Sequence, residues 1–231
     1  GYVEGNYKDR IKDGKWTEWY ENGQKSDEGN YKDDKEEGLW AGWLENGQKS
    51  YETTYKDGKE IEKTSWIYYE NGQMKYEWNY KDGKEDGLTT SWNENGQKSY
   101  ETTYKDGKEI EKTSWTYYEN GQMKYEWNYK DGKKDGLTTI WYENGQKNYE
   151  ENYKDGNRDG LTTSWYENGQ KRSEKTYKDD EEDGYQIYWR EDGTTLSTDY
   201  INSSTSESSS GSYTKKKTKS NNGKYVYDST D

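Results

Sequence analysis

Aromatic rings are the side chains of this sequence whose spacing could do chemistry. Trp19, Trp43, Tyr68, Trp92, Tyr117, Trp141, Trp165 and Trp189 recur once in about every 24 residues. Tyr76, Trp78, Tyr100, Tyr125, Trp127 and Tyr149 accompany them. Rings held in a row can stack on a partner's side chains, on sugar rings or on a second copy of the same chain, and a large exposed aromatic patch marks such a surface. The competing use is internal packing, since cross-strand aromatic pairs stabilise sheets. Acid–base and nucleophilic chemistry has little to work with. The 231 residues include no His and no Cys, the groups that most often fill those roles. The 48 Asp and Glu recur in every repeat at turn positions, whereas a catalytic pair would be singular. The chain is therefore expected not to be an enzyme. Acidic turns could offer oxygen ligands to calcium. The two candidates, Asp179-Asp180-Glu181-Glu182-Asp183 and Asp33-Asp34, lack calcium-loop spacing and read as solvated turns. Neither a metal nor a cofactor is expected.

The elements that must position these rings are hairpins. Glu-Asn-Gly begins at Glu21, Glu45, Glu70, Glu94, Glu119, Glu143 and Glu167, and returns as Glu191-Asp192-Gly193. Tyr-Lys-Asp begins at Tyr7, Tyr31, Tyr55, Tyr80, Tyr104, Tyr129, Tyr153 and Tyr177. Short runs rich in Thr, Tyr and Trp, bounded by Asn-Gly or Asp-Gly, are a strong hairpin signal. No Pro interrupts them. A fixed period of this length indicates a stacked array. The expected fold is all-β: an elongated, twisted, single-layer antiparallel meander of about eight stacked hairpins.

Turn length decides which rings share a face, because a one-residue slip sends every side chain to the other side. If both Glu-Asn-Gly and Lys-Asp-Gly are three-residue loops with a left-handed Gly, Trp92 pairs with Lys98 and Thr90 with Tyr100. The fourteen aromatic residues named above then line one face, with Glu28, Glu52, Glu77, Glu101, Glu126, Glu150 and Glu174 on the other. From Tyr55 to Glu70 the step is one residue longer than usual, which calls for a β-bulge near Glu62–Ser65 to keep Trp66 and Tyr68 in phase.

Composition sets further bounds. Only 25% of residues are hydrophobic and the net charge is −13. That charge disfavours nucleic acid, whose phosphates demand Lys and Arg. No run is long and apolar enough to span a membrane as a helix. Residues 1–200 read as the repeat array, 201–212 as a Ser-rich linker, and 213–231 as a basic tail whose Asn221-Asn222-Gly223 could form a worn terminal hairpin. Segments 45–84 and 94–133 differ only at Ile67 against Thr116, the mark of a recent tandem duplication.

The stretch Tyr129-Lys130-Asp131-Gly132-Lys133-Lys134-Asp135-Gly136-Leu137, followed by Trp141-Tyr142-Glu143-Asn144-Gly145-Gln146, resembles the bacterial variant of the MORN repeat (membrane occupation and recognition nexus). The resemblance spans roughly residues 1–200 and departs from the pattern at Lys35-Glu36-Glu37-Gly38 and at the Ile-Glu-Lys-Thr steps, 61–64 and 110–113. It implies stacked β-hairpins and a role in binding or scaffolding, without catalysis. Proteins built from this variant are often assigned as antitoxins of toxin–antitoxin systems, and many resemble secreted or surface proteins, so export from a bacterium is expected, with a cytoplasmic location as the other option. Trp66-Ile67-Tyr68-Tyr69 and Trp115-Thr116-Tyr117-Tyr118 are similar to choline- and glucan-binding surface repeats, whose unit is shorter. Three functions stay open: a scaffold that binds a protein partner or itself through the aromatic face, a cell-wall or polysaccharide binder, and a self-assembling fibre subunit.

Overall fold

A computed structural model describes residues 1–201, 217–219 and 225–227. The chain is all-β and its strands run in antiparallel meander order. It divides into two units, residues 1–112 and 113–231. In the first unit, β1 (Tyr2–Lys8), β2 (Ile11–Trp19), β3 (Lys25–Lys32), β4 (Lys35–Trp43), β5 (Lys49–Lys56), β6 (Lys59–Tyr68) and β7 (Met74–Lys81) pair each with the next. Then β7 pairs with β8 (Lys84–Glu85) and β9 (Gly87–Trp92), and β9 with β10 (Lys98–Lys105). β11 (Lys108–Tyr117) leads into the second unit, which repeats the scheme. There β12 (Met123–Lys130) pairs with β13 (Lys133–Lys134) and β14 (Gly136–Trp141), followed by β15 (Lys147–Lys154), β16 (Asn157–Trp165) and β17 (Lys171–Lys178). β18 (Glu181–Glu182), β19 (Gly184–Trp189) and β20 (Thr195–Ile201) close the array. Two short strands, β21 (Lys217–Lys219) and β22 (Tyr225–Tyr227), pair with each other. The turn expected at Asn221-Asn222-Gly223 and the expected linker at 202–212 lie outside the described residues.

The first kind of turn is as the sequence predicts. Across Glu143-Asn144-Gly145 the Tyr142 amide donates to the Gln146 carbonyl at 2.8 Å, and the Gly145 amide donates to the Tyr142 carbonyl at 3.0 Å. Gly145 has φ 83°, where a side chain would be strained. The second kind is a correction. Lys56 lies directly opposite Lys59, so Asp57-Gly58 alone is the loop. Asp57 has φ 52° and Gly58 φ 79°. Two successive left-handed residues make a type I′ turn, whose twist matches that of the flanking strands, and Asp tolerates the left-handed region better than most residues.

A second correction concerns the strand after each Glu-Asn-Gly loop. Trp92 opposes Lys98 as expected, but Tyr100 then opposes Ser91 rather than Thr90. Ser99 is an extra residue in a β-bulge, its hydroxyl donating to that of Ser91 at 2.8 Å. The same skip falls at Ser26, Ser50, Lys75, Asn148, Arg172 and Leu196. Each skip reverses the alternation once. After the Asp-Gly turns, by contrast, two extra residues are inserted, as between Tyr80 opposite Glu85 and Tyr76 opposite Ser91, which leaves the alternation unchanged. In the long step after Tyr55 a single residue is skipped, Ile61, immediately before the expected window.

Candidate interaction face

The register therefore splits the expected aromatic face in two. Within each unit, the column Trp19, Trp43, Tyr68, Trp92, or Tyr117, Trp141, Trp165, Trp189, stands on the face of Glu28, Glu52, Glu77 and Glu101, or of Glu126, Glu150 and Glu174. Tyr76, Trp78, Tyr100, Tyr125, Trp127 and Tyr149 stand on the other. The physical cause is the bulge residue between the two sets.

The face of Tyr76 and Tyr100, here called the tyrosine face, uses its rings on itself. In the first unit Tyr7, Trp16, Tyr31, Trp40 and Tyr55 form a continuous edge-to-face series with centroids 5.0–6.4 Å apart. Trp16 and Trp40 are only 7% exposed. Each lies over a glycine of a neighbouring strand, Gly5 and Gly29 respectively, where a Cβ would fall within the ring. Tyr76 stacks on Trp78 and Tyr125 on Trp127, at 5.1 and 4.9 Å. In the second unit the buried Glu151 accepts from the hydroxyls of Tyr149, at 3.1 Å, and Tyr153, at 2.5 Å. Burial first, and then this carboxylate, push the Tyr153 phenol up to about 12.

The opposite face, called the leucine face, has a regular cross-section. Next to the Glu-Asn-Gly turns stands the Trp or Tyr of each repeat. Beyond it a lysine and a glutamate three residues apart pair on one strand: Lys25–Glu28, Lys49–Glu52, Lys98–Glu101, Lys147–Glu150 and Lys171–Glu174. Hydrogen bonds from Lys25, then Lys15, hold the Glu28 carboxyl below its ordinary value. The lysines also reach a ring one repeat on, with Lys25 5.9 Å from Trp43, Lys147 5.8 Å from Trp165 and Lys171 5.9 Å from Trp189. These contacts neutralise the charges of this row in place and cover part of each Trp.

Further from that turn the face is open and carries leucines, interrupted in the first unit by the ion pair of Lys81 and Glu62. Leu39, Leu88, Leu137 and Leu161 are 39–57% exposed. They oppose Thr54, Thr103, Asn152 and Thr176. Exposed Tyr185, opposite exposed Tyr200, continues the stripe in the second unit. Sequence reasoning did not single out the leucines. Their signal was a Gly-Leu pair at one fixed place, Gly38-Leu39, Gly87-Leu88, Gly136-Leu137 and Gly160-Leu161, in a chain with few aliphatic residues.

The turns fix the spacing between repeats. Tyr20, Tyr69, Tyr118, Tyr142 and Tyr166 donate their hydroxyls to the carbonyls of Trp43, Trp92, Trp141, Trp165 and Trp189, at 2.6–2.9 Å. Asn144 Oδ1 accepts from the Gln146 amide, and its Nδ2 donates to the Glu167 carbonyl, both at 2.9 Å. The acidic turn at 179–183 is engaged from within: Asp180 accepts from the Arg158 backbone and side chain, and Glu182 accepts from Lys175. Among the described residues no helix is long and apolar enough to cross a membrane.

Among the comparisons with known proteins, a family model agrees with this geometry. No curated protein matches the chain. A solved structure titled "Crystal Structure of TcdB2-TccC3-Cdc42" is similar over 94% of this chain and 12% of that one, at 14% identity and a TM-score of 0.32. This chain thus spans about an eighth of that protein's length. Residues 12–33, 36–57, 67–82, 85–106, 116–131, 134–155 and 158–179 each match the family described as MORN repeat variant. These seven segments cover more than half of the sequence and fall in step with the hairpins, so the chain belongs to the MORN repeat variant family.

Proposed function

We propose that the array is a scaffold that binds a protein partner along its leucine face. MORN repeats serve as binding and scaffolding modules, which supports the class of function. The observation that carries the choice of face is the exposed apolar residue at one register position, Leu88 in the first unit and, as a row on successive hairpins, Leu137, Leu161 and Tyr185 in the second. In the second unit neighbouring hairpins bring these residues roughly two strand spacings apart, about 10 Å, whereas in the first unit the ion pair of Glu62 and Lys81 stands between Leu39 and Leu88. Contiguous apolar surface rimmed by polar groups marks a protein interface. The Lys–Glu pairs beside the stripe let a partner approach without meeting a net charge, while the tyrosine face spends its rings on internal contacts. Binding is by avidity, each leucine-bearing repeat adding one weak apolar contact.

A photo-crosslinking residue placed in turn at Leu88, Leu137 and Leu161, and at the turn positions Glu94 and Glu143 as controls, tests this in source cells. One and the same protein should be captured from the three leucine positions and not from the controls. Equal capture from all five would refute the reading. Adducts between two copies of this chain would replace the foreign partner by self-association. Retention on a polysaccharide column, lost in Trp92→Ala and Trp141→Ala, would favour the glycan reading instead.

A further inference from the structure

The hairpin of β19 and β20 carries a ring pair unlike those elsewhere in the array. Tyr185 and Tyr200 lie directly opposite each other in the register. Their ring centroids are 4.8 Å apart with planes inclined at 63°. The other ring pairs described above each include a tryptophan. Both residues are exposed, at 66% and 52%. Other tyrosines of the array have their hydroxyls tied down, as Tyr142 and Tyr166 are to backbone carbonyls and Tyr149 and Tyr153 to Glu151.

We propose that Tyr185 and Tyr200 form an oxidative cross-linking site that joins β19 to β20 as a dityrosine. A biaryl bond between ortho carbons holds two ring centroids one bond plus two ring radii apart, slightly closer than the separation seen here, and such rings are twisted out of one plane as these are. The contact seen is edge-to-face, so a ring must turn until its ortho edge meets that of the other before the bond can form. The oxidant is hydrogen peroxide acting through a peroxidase. Each phenol gives up one electron and one proton, forming two phenoxyl radicals. The radicals couple through their ortho carbons, and each ortho hydrogen moves to a phenol oxygen as the rings regain aromaticity. Overall, two tyrosines and one hydrogen peroxide give one dityrosine and two waters. The chain contains no Cys, so no disulfide can serve this purpose and no thiol competes for the radical. The bond would close a loop spanning residues 185–200 and keep the hairpin from fraying, as cross-links do by restricting the open state.

The full-length protein, dilute and treated with peroxidase and hydrogen peroxide, tests the proposal by mass spectrometry of tryptic peptides. Arg190 separates the two tyrosines into different peptides. Protein running as a monomer should yield these peptides joined, two hydrogens lighter than their sum, with blue dityrosine fluorescence. Tyr200→Phe keeps the ring and should abolish the joined pair, while Tyr7→Phe, another exposed tyrosine, should leave it intact. The proposal is overturned if coupling in the monomer is absent or joins other tyrosines, if it appears only between chains, or if Tyr200→Phe leaves the yield unchanged.

Discussion

The hydroxyl of Tyr142 donates to the backbone carbonyl of Trp165, 2.7 Å away and one repeat further along the chain. The contact ties the start of one Glu-Asn-Gly turn to the end of the strand that leads into the next, and it recurs at four other turns. Tyr142→Phe keeps the ring and removes only this bond. It should lower stability by about 1 kcal/mol, the net worth of a typical hydrogen bond. Urea unfolding would show it as a lower midpoint with an unchanged slope. Replacing Tyr118, Tyr142 and Tyr166 together should cost more than any single change, because each junction between repeats contributes its own term.

Gly29 lies against the ring of Trp40, and a Cβ there would sit 2.1 Å from it. Gly29→Ala should therefore push Trp40 out of its place between Tyr31 and Tyr55. The expected loss is about 1–3 kcal/mol, as for other overpacked sites. Near-UV circular dichroism should lose intensity along with stability. An unchanged spectrum and midpoint would show that the ring is free to move.

Alkaline pH should unfold the array cooperatively. Burial, the largest cause in each case, raises the phenols of Tyr55, Tyr80, Tyr104 and Tyr149 above the ordinary value, and Tyr153 reaches about 12. A folded pKa above the unfolded one, about 10 for Tyr, means that the stabilisation is complete below pH 10. It is lost as pH rises from there through the folded values. Tyrosinate absorbance should lag behind that of free tyrosine, then rise together with loss of the β signal in circular dichroism. Smooth titration near pH 10 with the fold intact would contradict this.

Much of this architecture is legible in the sequence. Asn144-Gly145 and its counterparts mark the three-residue turns, since only Gly sits easily at φ 83°. The period, the antiparallel pairing and the need for a bulge after Tyr55 follow from the spacing of Glu and Tyr. Two features left no readable mark. Lys-Asp-Gly is compatible with a two- or a three-residue loop, and only the backbone angles of Asp57 and Gly58 decide between them. The bulge after each Glu-Asn-Gly turn falls on Ser26, Ser50 and Ser99 in three repeats, and on Lys75, Asn148, Arg172 or Leu196 in others. It has no residue signature because it is set by how neighbouring strands fit together. That one residue decides whether Trp92 and Tyr100 share a face, so the candidate surface was harder to read than the fold.

The placing of the leucine stripe on one face and the tyrosines on the other depends on this bulge, and a cysteine-free chain allows it to be tested directly. Leu161 opposes Thr176; without the extra residue at Arg172 it would oppose Lys175. Side chains directly opposite on one face are close enough for a disulfide after modest adjustment, while a residue on the reverse face is not. Under mild oxidation the pair Leu161→Cys with Thr176→Cys should cross-link within one chain, and the pair Leu161→Cys with Lys175→Cys should stay reduced. Cross-linking of the second pair in preference to the first would return the tyrosines to the face of the leucines and remove the basis for the proposed binding surface.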